Sequence, residues 1–396
     1  MRIDTPNPVA SAFRRKGPEA ETERKIQRVL MTADAVGGVW TYALDLSREL
    51  VRRGVSVDLA VMGPPPSDAQ RTDAAHAGVG LVERPGRLEW MDEPWCDVDA
   101  AGEWLIDLDR TWRPDVIHLN GFCHGSLPWS APVVMVAHSC VRSWWRAVRG
   151  EEAPDRFNAY RARVEAGLRA AALVVAPTAA MLSELESDYG PAAVARVVPN
   201  GRAFPPATGV AREPIVLAAG RLWDEAKNMD ALCAATRAIT WPVCIAGNAR
   251  QAGSTCAVPL HVRHLGCLDG DTLREWFARA SIYALPARYE PFGLSVLEAA
   301  LSGCALVLGD IRSLRENWNG AALFVAPDNR RAIAAAIQAL IDEEPLRDRM
   351  AARARARAAR FTVEGMADAY LSAYSECIFS ARGGPTPDAR AVGLTA

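Results

Sequence analysis

Short apolar, β-branched runs alternate along this chain with longer stretches whose apolar positions recur at helical spacing. The runs at 27–32, 55–61, 79–83, 115–119, 133–137, 173–176 and 194–198 read as strands. The spacing between them predicts helices, for example over 39–53, stopped by Gly54, and over 97–112. Strand–helix alternation of this kind makes parallel βαβ units. Near 200–214 (NGRAFPPATGVAREP) the rhythm breaks into a Pro- and Gly-rich linker. A second set follows: strands at 215–219, 243–246, 262–265, 282–285 and 305–308, helices at 226–239, 271–280 and 292–302. Helices at 330–343 and 345–358 close it, and a last helix covers 362–380. The expected fold class is α/β, with two Rossmann-like doubly wound domains (27–205 and 206–361) facing a deep interdomain cleft. The segments 1–26 and 383–396 read as a disordered and a loose tail. No sequence repeat is visible.

Composition narrows the picture. Half of the 396 residues are apolar, enough for two buried cores. The net charge of −2 lacks the basic excess of a nucleic-acid binder, so no nucleic acid is expected. No apolar run is long enough to span a bilayer, and the first residues lack a secretory h-region. Nine scattered Cys without a CxxC pair fit a reducing cytoplasm, the expected location, with peripheral contact at the inner membrane face as a further possibility. There are 42 Arg but only three Lys, two of them at 16 and 25 near the polar amino end. The third, Lys227, draws attention.

The strongest motif is Glu290-Pro-Phe-Gly-Leu-Ser-Val-Leu-Glu298, which follows the strand SIYALPA. Pro291 suits a first helical position, and the N–H groups of Gly293, Leu294 and Ser295 would face a phosphate. Eight residues at the helical rise would separate the two carboxylates by ~12 Å, too far for one acid–base couple. Two anchors at the ends of a diphosphate fit that spacing better. The second motif is Gly220-Arg221-Leu222 with Lys227-Asn228. Gly220 permits a tight turn, Arg221 offers a fork for phosphate oxygens and Lys227 a point charge. Third, Gly37 and Gly38 in Asp34-Ala-Val-Gly-Gly would let backbone approach a ligand, although their spacing is not GxGxxG. Fourth, His138 in Val-Ala-His-Ser ends a strand and can meet a sugar hydroxyl.

Arg142, Trp144 and Trp145 follow in what reads as an exposed loop that could stack on a sugar or lie against lipid, a candidate acceptor contact. His118 reads as structural, and His124 has no clear role. Three DxD pairs, Asp97/Asp99, Asp107/Asp109 and Asp269/Asp271, are poor metal sites. The first two lie on a helix where i and i+2 diverge, and Asp269 reads as a helix cap. No metal and no cofactor are therefore expected. ARARARAAR at 352–360 reads as an exposed basic helix face, with weak anionic-membrane binding as the alternative.

Taken together, the motifs resemble the retaining GT-B glycosyltransferases of family 4, the glycosyl transferases group 1. The matching signs are Gly37-Gly38, His138 in VAHS, Val-Pro-Asn-Gly at 198–201, Gly220-Arg221 with Lys227-Asn228, His264-Leu-Gly266 and the E-x₇-E pair. The resemblance covers roughly 27–380 and is looser in the first domain. It implies that Arg221 and Lys227 hold the donor's diphosphate, with backbone N–H groups of Gly293, Leu294 and Ser295. It implies Glu298 at the ribose, Glu290 at the donor sugar toward its 3- and 4-hydroxyls, His138 near that sugar's 6-hydroxyl, and Gly37 and Gly38 beside diphosphate and acceptor. Candidate catalytic groups are thus Glu290, His138, Arg221 and Lys227; Gly220 joins the donor set. The family's last helix returns to the first domain, as 362–380 would.

The implied activity is metal-independent, retaining hexosyl transfer from a UDP- or GDP-linked sugar to a hydroxyl of a glycan or lipid-linked acceptor, in cell-surface polysaccharide or glycolipid synthesis. The implied chemistry is front-face, the leaving diphosphate helping to deprotonate the acceptor. An epimerase or hydrolase of nucleotide sugars on the same fold would need a second carboxylate cluster, which the sequence lacks. A phosphorylase would need a Schiff-base lysine. A non-catalytic nucleotide-sugar-binding protein would not need Glu290, Glu298, Arg221 and Lys227 together.

Overall fold

A computed structural model describes residues 25–383 apart from 252–253, 256–258 and 260. Of the tails read at 1–26 and 383–396, residues 1–24 and 384–396 lie outside the described residues, and Ile26 is corrected to a core residue, buried in the first domain beside β1. Seven strands form the first sheet: β1 Arg28–Asp34, β2 Ser56–Gly63, β3 Gly80–Pro85, β4 Val116–Leu119, β5 Val133–Val136, β6 Leu173–Ala176 and β7 Ala195–Val197. All pair in parallel, in the order β3-β2-β1-β4-β5-β6-β7. Strands β4, β5 and β6 are buried along their whole length, which explains their unbroken apolar runs. The second half adds β8 Glu213–Ala219, β9 Val243–Ala246, a small hairpin of β10 Arg250–Gln251 and β11 Ser254–Thr255, then β12 Arg263–Gly266, β13 Ala280–Leu285, β14 Ala305–Gly309 and β15 Leu323–Val325. Its parallel sheet runs β12-β9-β8-β13-β14-β15.

The expected strands are present, with ends shifted by one or two residues. The sequence reading missed helix Arg312–Trp318, the three-residue edge strand β15 and the two-residue hairpin strands β10 and β11. All are too short for a period to register. The expected helix 226–239 is shorter, Met229–Ala235 plus a 3₁₀ turn, so Lys227 sits in the preceding turn. The basic run lies on helix Glu344–Ala358, with Ala354 and Ala358 buried and Arg353 and Arg355 exposed. Among the described residues no helix is long and apolar enough to cross a membrane.

Strand order fixes where ligands can sit. In the first sheet the order reverses between β1 and β4, in the second between β8 and β13. The crevice beyond the carboxyl ends of such strands is the binding place of doubly wound sheets. The loops leaving these four strands carry Asp34–Gly38, Asn120, Gly220–Lys227 and Glu290–Gly293.

Two crossings join the domains. Gly201 lies so close to the second crossing that a Cβ there would sit 2.0 Å from the Thr362 carbonyl oxygen. Arg202 N–H donates to the Phe361 carbonyl at 3.1 Å. Beyond this contact, helix Val363–Ala381 buries Met366, Tyr370, Ala373, Tyr374 and Cys377 in the first domain's core. The returning helix is thus a packed part of that domain.

A latch also crosses the cleft. Glu316, on the short helix of the second domain, accepts the N–H groups of Ala179 and Ala180 at 2.7 and 2.9 Å. These are orphan donors at the start of helix Ala179–Tyr189 in the first domain. A cap of this kind is worth about 1 kcal/mol, roughly fivefold in a two-state ratio. Glu316→Ala is expected to shift the domains toward an open form, read as a larger radius of gyration in small-angle scattering. An unchanged radius would deny the latch.

Candidate active site

Strand β8 ends at Ala219 and passes through Gly220 into a turn that carries Arg221 and Lys227. The turn is closed by the Lys227 N–H donating to the Asp224 carbonyl at 2.9 Å. Asn228 adopts φ 56° and donates through Nδ2 to the carbonyls of Pro286 and Pro327 at 2.9 and 2.8 Å. That bond ties the Lys227 turn to the loop after β13. Lys227 Nζ then meets a Glu290 carboxylate oxygen at 2.5 Å, with both side chains largely shielded from solvent. The two motifs read separately in the sequence are therefore one constellation.

Glu290 does not precede a helical Pro291 as expected. The helix starts at Leu294 and runs to Leu301. Gly293 is its cap, at φ 91°, a left-handed conformation that costs glycine least. Only the last part of E-x₇-E is helical, so the ~12 Å spacing built on a continuous helix does not apply. The N–H groups of Gly293, Leu294 and Ser295 still occupy the helix start, where the backbone dipole favours an anion. The Ser295 hydroxyl lies 2.8 Å from the Tyr283 hydroxyl.

Each cation carries a carboxylate partner. Arg221 Nη2 donates to Asp224 Oδ2 at 2.7 Å, as Lys227 does to Glu290. Burial alone would push Asp224 up, but Lys227 and Arg221 hold its carboxyl below the usual range. The cleft is closed over this cluster. A Cβ on Gly37 would lie 3.2 Å from Arg221 Nη1, and one on Gly38 3.5 Å from Leu294 Cδ1. Asp34, whose Oδ1 accepts the Val36 N–H at 2.9 Å, is raised by burial while Arg221 lowers it. Beside Arg221 a depression of about 500 Å³ opens, lined by Trp223, Asp224, Glu225 and Arg288.

Glu298, expected at the ribose, is paired within the protein. It is 7 % exposed and accepts Arg202 Nε at 2.7 Å. Arg202 Nη1 reaches Asp45 Oδ2, on helix Gly38–Arg52 of the first domain, at 2.6 Å. Burial raises the Glu298 pKa and Arg202 lowers it. The sequence reading missed Arg202 and Asp45. An Arg directly after Asn200-Gly201 was the available signal.

The acceptor candidates need a second correction. Arg142, Trp144 and Trp145 lie on helix Val141–Arg149, not in an exposed loop. Arg142 is held by the Asp188 carbonyl and Glu152 at 3.1 and 2.8 Å. Trp144 Nε1 lies 3.5 Å from Asp224 Oδ1, and Trp145 packs on Phe157. Tyr289 joins the same helix across the cleft, its hydroxyl 2.8 Å from Ser143 Oγ.

His138 follows β5, its Nε2 2.8 Å from Asn120 Oδ1, and burial lowers its pKa to about 4. His118 is buried in β4, as expected, and His124 Nε2 binds the Val98 carbonyl at 2.9 Å. Asp269 caps a helix through the Thr272 N–H at 2.8 Å. Among the described residues no group of three or more His, Cys, Asp or Glu side chains is arranged to hold a metal.

A crevice between two doubly wound domains, lined by cations and a helix N-terminus, suits an anionic, phosphate-bearing ligand. Comparison with known proteins names the class. The model of Glycosyltransferase Family 4 matches residues 36–202, and that of Glycosyl transferases group 1 matches 213–343. The chain belongs to this glycosyltransferase family. It is 29 % identical over 370 residues to a glycogen synthase of Mycobacterium tuberculosis, covering 82 % of this chain and 86 % of the relative. It is 27 % identical over 407 residues to a D-inositol 3-phosphate glycosyltransferase of Xylanimonas cellulosilytica, covering 87 % and 93 %. The fold is shared with sucrose-phosphate synthase from Thermosynechococcus elongatus (TM-score 0.72, 20 % identity, 90 % and 100 % covered). It is also shared with Anabaena HepE in complex with UDP (TM-score 0.68, 17 % identity, 88 % and 100 % covered). The fold is GT-B.

Proposed function

We propose that this glycosyltransferase moves a hexose, with retention, from a UDP- or GDP-linked donor to a hydroxyl of a glycan or lipid-linked acceptor. The observation that carries the reading is the Lys227–Glu290 pair, set beside Arg221 and the Gly293 helix start. Lys227, Arg221 and the N–H groups of Gly293, Leu294 and Ser295 bind the diphosphate. As the glycosidic bond breaks, charge grows on the leaving oxygen, and these fixed groups stabilise it without reorganising. Glu290 and His138 contact the transferred sugar, and Glu298, held by Arg202, takes the ribose. Gly37 and Gly38 let first-domain backbone lie against the diphosphate and the acceptor. No enzymic nucleophile is invoked; positioning and exclusion of water by domain closure supply the rest. Two side-chain cations do the charge work usually given to a divalent ion, so the reaction proceeds without metal. A role in cell-surface polysaccharide or glycolipid synthesis, in the cytoplasm or at the inner membrane face, fits this chemistry.

Isothermal titration against UDP, GDP and ADP, with EDTA present and repeated with Lys227→Ala, tests the reading. Binding of one nucleotide, weakened in the variant, is the expected result. No binding of any of the three by folded protein would overturn it.

A further inference from the structure

The side chain of Asn120, just beyond β4, is held by Thr32 of β1. The backbone N–H of Asn120 donates to Thr32 Oγ1 at 2.9 Å, and its side-chain Nδ2 donates to the Thr32 carbonyl at 2.7 Å. Only the NH₂ of an amide can donate to a carbonyl, so this bond fixes which way the amide faces. Oδ1 therefore points at two histidines, 2.8 Å from His138 Nε2 and 3.2 Å from His118 Nε2. An amide oxygen can only accept, and Asn120 Oδ1 is the one described partner of His138 Nε2, so that nitrogen must carry the proton. His118 Nε2 lies between Asn120 Oδ1 and the Tyr42 hydroxyl, the latter at 3.3 Å.

His118 Nδ1 is paired with the Tyr374 hydroxyl at 2.6 Å. His138 is bare at Nδ1, and no described protein group donates there. That nitrogen is not among the sealed, partnerless atoms of the interior, and it lies at the cleft-facing end of β5. The titratable groups facing the His138 ring are Tyr42, edge-on with centroids 4.6 Å apart, and His118. His118 is itself neutral, its pKa lowered by burial to about 3. With burial also holding His138 near 4, the ring is an uncharged acceptor at neutral pH.

We propose that Asn120 is a positioning residue that locks His138 in the Nε2–H form, so that its bare Nδ1 selects a hydroxyl, and not a carboxylate, on the transferred sugar. The inference rests on the assignment of His138 to that sugar made above. A hydroxyl gives Nδ1 the hydrogen bond it lacks. A carboxylate would set lone pair against lone pair in a shielded place, leaving two acceptors unsatisfied. The lock extends to the closing helix, because Tyr374 secures His118, which shares the Asn120 oxygen.

Long-range ¹H–¹⁵N spectra of ¹⁵N-histidine-labelled protein read the tautomer directly, with His138 assigned by its loss in His138→Gln. The expected result is a single Nε2–H form in the free protein, unprotonated down to about pH 5. Asn120→Asp puts a carboxylate beside Nε2 and should move the protonation midpoint up by about 1–3 pH units. kcat/KM should then fall on the acid side with that same midpoint. Wild type should also prefer a hexosyl over a hexuronosyl donor by at least about tenfold, and the variant should discriminate less in acid. An Nδ1–H form in the wild type, or an unmoved midpoint in the variant, would overturn the proposal. Should Asn120→Asp not fold, the wild-type spectrum decides alone. Absence of nucleotide binding would instead remove the transferase reading, while the tautomer result stands by itself.

Discussion

Replacing Lys227 by alanine is expected to lower kcat by about 100- to 1,000-fold, the usual cost of removing one preorganised group that stabilises a developing anion. Two effects add at this position. The leaving diphosphate loses a point charge, and Glu290 loses its 2.5 Å partner and is left as an unpaired carboxylate in a shielded cleft. Lys227→Arg should recover little of the rate. A planar fork cannot take the place of a compact ammonium between the Gly220 turn, whose Cβ position lies 3.5 Å from the Lys227 Cγ, and Glu290. Steady-state kinetics, with circular dichroism melts as a check on folding, measure this. A kcat within a few fold of wild type would remove Lys227 from the chemistry.

The largest stability effect is expected at Arg202. Its guanidinium bridges the carboxylates of Asp45 and Glu298, both nearly inaccessible and each bonded to it within 2.7 Å, while the ion pair of Asp45 with Arg48 is longer, at 3.5 Å. Arg202→Ala leaves two like charges buried together, and breaking a buried pair typically costs about 3–5 kcal/mol. The sign of the pH dependence follows. Asp45 already pushes the Glu298 pKa up, and without Arg202 nothing nearby offsets burial as strongly. A carboxyl whose folded pKa is raised gives stability that is present below its unfolded pKa and is lost as pH rises through the folded value. The variant's melting-temperature deficit should therefore be greatest near about pH 8 and shrink toward about pH 5. A deficit independent of pH would mean that the charges are not the cause. Glu298→Gln, which removes one of the two charges, should relieve the variant in combination while raising the donor KM.

These two residues show unequal visibility in the sequence. Lys227 stood out because the chain otherwise uses Arg almost everywhere and because a strand and a glycine precede it. Arg202 was one arginine among 42, in a linker without period. Its importance comes from Asp45, which lies 157 positions away along the chain. Asn120 was legible in principle. It stands two residues after His118, so strand alternation sets both on one face, and only the amide orientation given by Thr32 reveals its role.

What the sequence determined by itself was the class of fold and the list of candidate groups. Alternation of buried strands with amphipathic helices depends on neighbours within a few residues, and so does the glycine that lets a chain turn at a strand end. That local information named Arg221, Lys227, Glu290, Gly293, Glu298 and His138. Only the tertiary structure decided how these groups are charged and paired. It joined Lys227 to Glu290, withdrew Glu298 behind Arg202, turned the tryptophan segment from a loop into a helix wedged at the interdomain contact, and set His138 against Asn120. The reason is physical. Each pairing depends on distance and burial between residues brought together from different strands or domains, and no local pattern encodes how far apart two such groups will lie.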